Sequence, residues 1–179
     1  MKKILALIFG LFLGTTALTN AQVEFMHSLG ISLYAGGNGA GGAGTYSPRL
    51  NLVHLGDNGA LSLGTHFSLG GSFSSQEGAS GVVLDFPLMA EVNFGNGSTK
   101  DNDKSFGFFG GLGFDIINVV QGASDNVDHS SGIMVDAGIK FVLKEKIPLS
   151  LRASYLISSN PSYPNILGLG LSWNFGVIK

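Results

Sequence analysis

The chain contains no cysteine. A disulfide framework, a thiolate metal site, a cysteine nucleophile and a lipidated N-terminal cysteine are all excluded at once. Charge is scarce too: 12% of the 179 residues are charged, 10 basic against 12 acidic. So even a balance gives no electrostatic footing for nucleic acid or for a strongly charged partner. After Gly14 no apolar run is long enough for a membrane-spanning helix. No zincin, serine-hydrolase or other catalytic motif occurs, so the chain reads as a non-enzyme with no implied cofactor.

What is present begins with a leader. Met1-Lys2-Lys3 is a positive n-region, Ile4 to Gly14 is an apolar run too short to span a bilayer, and Thr15 to Ala21 is small and polar. This is the pattern of a secretory signal peptide cut after Ala21. Residues 22–179 then form one domain. Glycine is abundant at 28 residues, but it is spread along the chain, and 44% of the residues are hydrophobic, which argues against disorder.

The domain is dominated by period two. Leu167, Leu169, Leu171, Trp173, Phe175 and Val177 alternate with Gly168, Gly170, Ser172, Asn174 and Gly176. Side chains alternate across a strand, so one face is apolar and the other has minimal bulk. Comparable segments run over about Phe25–Gly36, Thr45–Leu55, Ala60–Gly71, Val82–Gly95, Ser105–Asn118, Gly132–Lys144 and Ile147–Ser158, which makes eight strands. Gly37–Gly44, Ser72–Gly81, Val119–Ser131 and Ser159–Asn165 read as loops, Gly56–Gly59 as a tight hairpin turn and Asn96–Lys104 as a long polar connection.

Eight amphipathic strands suit either a soluble sandwich or a membrane barrel. Length favours the barrel, since most strands match the ~9–11 residues needed to cross a bilayer at a tilt. Charge placement agrees. Arg49, Asp85, Glu91, Asp115, Asp136, Lys140 and Arg152 all fall on the non-apolar register, as does His66. A Lys or Arg facing lipid at the midplane would cost about 2–4 kcal/mol. The decisive feature is that this register is rich in Gly and Ser and poor in the Lys and Glu of a wetted sheet. Small residues and a few balancing charges are what a narrow eight-stranded lumen accommodates.

The expected fold is therefore an all-β, eight-stranded, antiparallel, up-and-down transmembrane barrel. The eight named polar residues form a lumen charge network. Glu91, Lys140 and Arg152 are expected in the periplasmic half and Arg49, His66, Asp85, Asp115 and Asp136 nearer the outside, with Glu91 paired to Arg152 or Lys140. A switchable gate or solute path is the functional reading of this network, and a set of ion pairs filling the lumen is the structural one. Short turns face the periplasm in bacterial barrels, which puts both termini there.

Leader, eight long strands and polar interior resemble the small outer-membrane β-barrel family typified by the OmpA transmembrane domain and OmpX. The resemblance covers essentially all of the mature chain and is architectural. It implies a bacterial outer-membrane location, lipid as the surrounding medium, barrel-assembly machinery as a partner in biogenesis, and an extracellular ligand met through the outer loops. Family members usually end on an aromatic residue. Here Trp173 and Phe175 stand in register, and Gly176-Val177-Ile178-Lys179 follow. A structural or surface-interaction role is the leading expectation, and a narrow channel for small solutes is the alternative.

Remaining features are weaker. Gly39–Gly44 matches a dinucleotide fingerprint formally, but a strand follows where a helix is required, so it reads as an external loop. His27 and His54 fall on the outer register near the periplasmic rim. As a pair they would hold metal or serve a lipid-hydrolysing site, but no carboxylate or Ser shares their face. They read as headgroup-level polar residues. His129 is alone in a loop. Trp173, Tyr46 and Tyr155 suit interfacial aromatic belts. Asn96-Gly97-Ser98 matches a glycosylation sequon without meaning in a periplasmic turn.

Overall fold

The computed structural model describes residues 23–37, 39–74, 80–121, 127–143 and 147–175. The proposed leader lies outside them, as do Gly176–Lys179. The elements are β1 (Glu24–Gly36), β2 (Gly39–His54), a 3-10 turn at Gly56–Asn58, β3 (Gly59–Thr65), β4 (Phe67–Ser74), β5 (Ser80–Asp85), β6 (Leu88–Gly95), β7 (Phe106–Gln121), β8 (Val127–Leu143), β9 (Ile147–Ser158) and β10 (Ile166–Asn174).

All ladders are antiparallel, and β1 pairs with both β2 and β10, so the sheet closes on itself. β3 and β4 lie end to end beside β2, while β5 and β6 lie end to end beside β7. Ten ladder segments thus make eight barrel strands. The join on one side is His66. In the neighbouring strand it is Phe86-Pro87, where Pro87 has no N–H to give the ladder.

The barrel is inverted relative to a soluble protein. Ile139, Leu151, Leu171 and Ile31 face one another across successive strands and are 39%, 46%, 43% and 60% exposed. Among the buried residues, polar and charged side chains outnumber apolar ones. Glu91 is 3% exposed and Asp115 is fully buried. The apolar register needs a solvent other than water, and hydrocarbon is the one that fits. Among the described residues no helix is long and apolar enough to cross a membrane.

Strand boundaries agree with the sequence expectation at the short turns and differ at the opposite ends. Gly39–Gly44 is not a loop. It is the start of β2, paired with β1 on one side and β4 on the other. Gly and Ala carry no alternating pattern to read, but here ladders on both sides hold the segment. The emptiness has a use: Gly41 and Gly168 flank Tyr34 in the ladder, leaving room for its inward ring. The expected loops Ser72–Gly81 and Val119–Ser131 are likewise partly strand, with residues 75–79 and 122–126 outside the described set. His129 belongs to β8, opposite Asn118. A bulge between Asn51 and Val53 shifts the register at the C-terminal end of β2.

Aromatic rings cluster at the rim where β1 starts and β10 ends. Phe25, His27, Tyr46, Trp173 and Phe175 form a run of ring contacts, with Trp173 and Phe175 centroids 4.4 Å apart. His27 Nδ1 lies 3.4 Å from the Tyr46 hydroxyl. Tyr155 is at the opposite end, accepting a 3.0 Å bond from Asn165 Nδ2. His27 and His54 do not form a pair. His54 Nε2 stands 3.6 Å from Glu24 Oε2, a carboxylate absent from the sequence expectation.

Candidate functional site in the barrel lumen

The interior is stacked in layers. At the end that carries the chain's first and last strand residues the 96–104 connection folds into the mouth instead of hanging free. Asn96, Gly97, Ser98 and Thr99 are buried. Gly95 and Gly97 have φ of 70° and 62°, which lets the chain turn back sharply. Strand side chains then hold it. Arg49 Nη2 donates to the Gly97 carbonyl at 2.5 Å, and Asn51 Nδ2 donates to the Ser98 carbonyl at 2.7 Å. Ser98 Oγ donates to the Asn58 carbonyl at 3.0 Å. Glu24 accepts from the Lys100 backbone N–H at 3.3 Å. The unusual length of this turn was visible in the sequence; its inward fold was not.

Arg49 and Lys140 share one acceptor. Arg49 Nη1 donates to Asn93 Oδ1 at 2.7 Å, and Lys140 Nζ donates to the same oxygen. Lys140 also reaches the Gly97 carbonyl at 3.4 Å. Asn93 is fixed in turn by its Nδ2 bond to Ser62 Oγ at 2.8 Å. Arg49 therefore shares the layer of Lys140 and the 96–104 turn, and does not lie in the opposite half as expected from counting along strands. Strands in a closed barrel are staggered by its shear, so distance from a strand end does not report depth.

The middle layer centres on His66, at the break between β3 and β4. Its Nδ1 meets Ser47 Oγ at 2.9 Å. Its Nε2 lies 2.9 Å from Glu91 Oε1 and 3.6 Å from Asp136 Oδ2. Glu91 thus pairs with His66, not with Arg152 or Lys140 as expected. Among the described residues no Lys or Arg comes within ion-pair distance of a carboxylate. Glu91 and Asp136 sit on either side of Gly111 in the ladder. A Cβ at Gly111 would stand 2.6 Å from Asp136 Oδ1 and 2.8 Å from Glu91 Cγ. Gly111→Val should accordingly destabilise the barrel by about 1–3 kcal/mol, as overpacking does, read as a lower urea midpoint. A midpoint equal to wild type would show that the two carboxylates are not packed over this glycine.

Towards the opposite end, the Tyr34 hydroxyl donates to Asp85 Oδ2 at 2.5 Å and lies 2.8 Å from Ser68 Oγ. Thr45 bridges Ser32 and Ser68 at 2.7 and 2.9 Å. Asp85 and Asp115 lie against each other, and Arg152 is within electrostatic range of both and of Asp136. Above them Val83, Ile117 and Leu156 form a buried apolar cluster with Ile166 against it. This inward apolar cap has no counterpart in the sequence expectation, because period two assigned those residues to a polar face. A cavity of about 50 Å³ remains beside His66 and Glu91 and extends to Met26 and Asn174.

A comparison with protein-family models finds no match, and neither does a comparison with curated proteins. Solved structures do match. The attachment invasion locus protein Ail of Yersinia pestis, crystallised with the heparin analogue sucrose octasulfate, aligns at a TM-score of 0.56 with 13% identity. That alignment covers 86% of this chain and 99% of that one. A second structure of the same Yersinia pestis protein aligns at a TM-score of 0.52 with 12% identity, over 84% and 97% of the two chains. At such identity the likeness concerns fold. Closed topology, outward apolar register and these alignments together make the fold that of the small eight-stranded outer-membrane β-barrels.

Proposed function

We propose that this chain is a bacterial outer-membrane barrel with a plugged, non-conducting interior, acting in envelope structure or surface interaction and not in catalysis. The supporting observation is the convergence of Arg49, Asn51 and Lys140 on the inward-folded turn at Gly97 and Ser98. Groups that would line a solute path are instead bonded to a segment lying across it. The apolar cluster of Val83, Ile117 and Leu156 narrows the other end. The lumen then serves stability, and what is left for contact with the surroundings is the outer rim. Attachment is a property of the Yersinia protein; for this chain an extracellular ligand at the outer connections is part of the proposal, as are lipid contact and delivery by barrel-assembly machinery after removal of the leader.

Planar-bilayer recording tests it. The purified barrel is expected to give no reproducible unitary conductance above that of the empty bilayer. Well-resolved channels from the wild-type protein would overturn the plugged reading and favour the narrow-channel alternative.

A further inference from the structure

We propose that His66, Glu91 and Asp136 form a divalent transition-metal site inside the barrel. The inference is independent of whether the lumen conducts. The donor atoms of the three side chains, one imidazole nitrogen and two carboxylate oxygens, all lie within 4.8 Å of one another. Two of the separations, 2.9 Å to Glu91 and 3.6 Å to Asp136, are already those between neighbouring ligands of one ion. Only the two carboxylates have to draw closer, and a dication between them removes the repulsion that keeps them apart.

Three further observations point to a ligand. Neither oxygen of Asp136 has a hydrogen-bond partner, although its side chain is fully buried. A buried carboxylate whose one contact is a 3.6 Å approach to an imidazole, with no hydrogen bond, is costly, and a bound cation satisfies it. Next, the imidazole is oriented as a metal ligand is oriented: one ring nitrogen meets Ser47 Oγ while the other faces the carboxylates. Finally, the two carboxylates converge because Gly111 between them has no side chain, and His66 turns inward where the ladder is interrupted. Bulges and breaks of this kind re-aim side chains.

One imidazole with two carboxylates suits zinc or manganese better than calcium or magnesium, which prefer oxygen alone. Three protein donors leave positions for water, and the cavity beside His66 and Glu91 supplies the room.

The test is to refold the barrel in detergent with Zn²⁺ present, which avoids any question of entry, and then to desalt and measure retained metal. One equivalent per chain is expected. Asp136→Asn should weaken binding by more than about 100-fold, and Ser47→Ala, which removes only the orienting contact, by about 10-fold. His27→Gln, on the outer wall, should retain wild-type stoichiometry. Heat-modifiable migration of each variant confirms that it has folded. No retained zinc in the folded wild type would overturn the proposal. Retention unchanged by Asp136→Asn but lost in His27→Gln would overturn it equally, by placing the ion on the exterior.

Discussion

Leu151→Arg destabilises the barrel by about 2–4 kcal/mol when unfolding is measured in lipid vesicles. Leu151 is on the outward register of β9, between Ile139 and Leu171 on the neighbouring strands, and all three are substantially exposed. In a water-soluble protein an exposed Leu is the safest place to add charge, and the change would fall within about 0.5 kcal/mol of neutral. In hydrocarbon the guanidinium must be desolvated or must pull water and headgroups towards it, which gives the larger figure. The sign and size of this one substitution therefore separate a lipid exterior from an aqueous one. A neutral result would contradict the barrel's placement in a membrane.

The second large effect is expected inside. Asn93→Leu keeps side-chain volume but removes the oxygen that receives both Arg49 and Lys140. The buried Lys140 and the half-buried Arg49 would lose an acceptor together, and Ser62 would lose its donor from Asn93. Leaving buried charge without its partner costs about 3 kcal/mol or more. Because Arg49 and Lys140 also hold Gly97, the inward turn should loosen, with faster amide exchange over residues 96–102. A loss below about 1 kcal/mol with unchanged exchange would mean that the turn holds its place without this junction.

Much of this was legible in the sequence because the barrel wall obeys a strict rule. Each step along a strand reverses the face, and hydrocarbon admits no exception, so Leu29, Ile31 and Leu33 declare the exterior and Ser28, Ser32 and Tyr34 the interior. The same rule put Asp85, Glu91, Asp115, Asp136 and Lys140 inside, where they are buried. It failed where side chains are missing: Gly39–Gly44 has nothing to alternate, so a paired strand read as a loop. It also failed on partners. Glu91 meets His66 and not Arg152 or Lys140, because which inner residues share a level depends on the stagger of strands around the closed sheet. Arg49 was misplaced for the same reason. The inward turn at Asn96–Thr99 was legible only as excess length, since its polar residues serve equally well in water or against a lumen wall.

Trp173 gives the most direct measurement of the central claim, because it is the chain's single tryptophan and lies on the outward register at 43% exposure. The measurement is its fluorescence quenching in reconstituted vesicles by lipids with brominated acyl chains, compared with quenching by aqueous iodide. A lipid-facing apolar register predicts strong quenching by the brominated chains and little by iodide. Quenching by iodide with none from the brominated lipids would place that face in water and contradict the account.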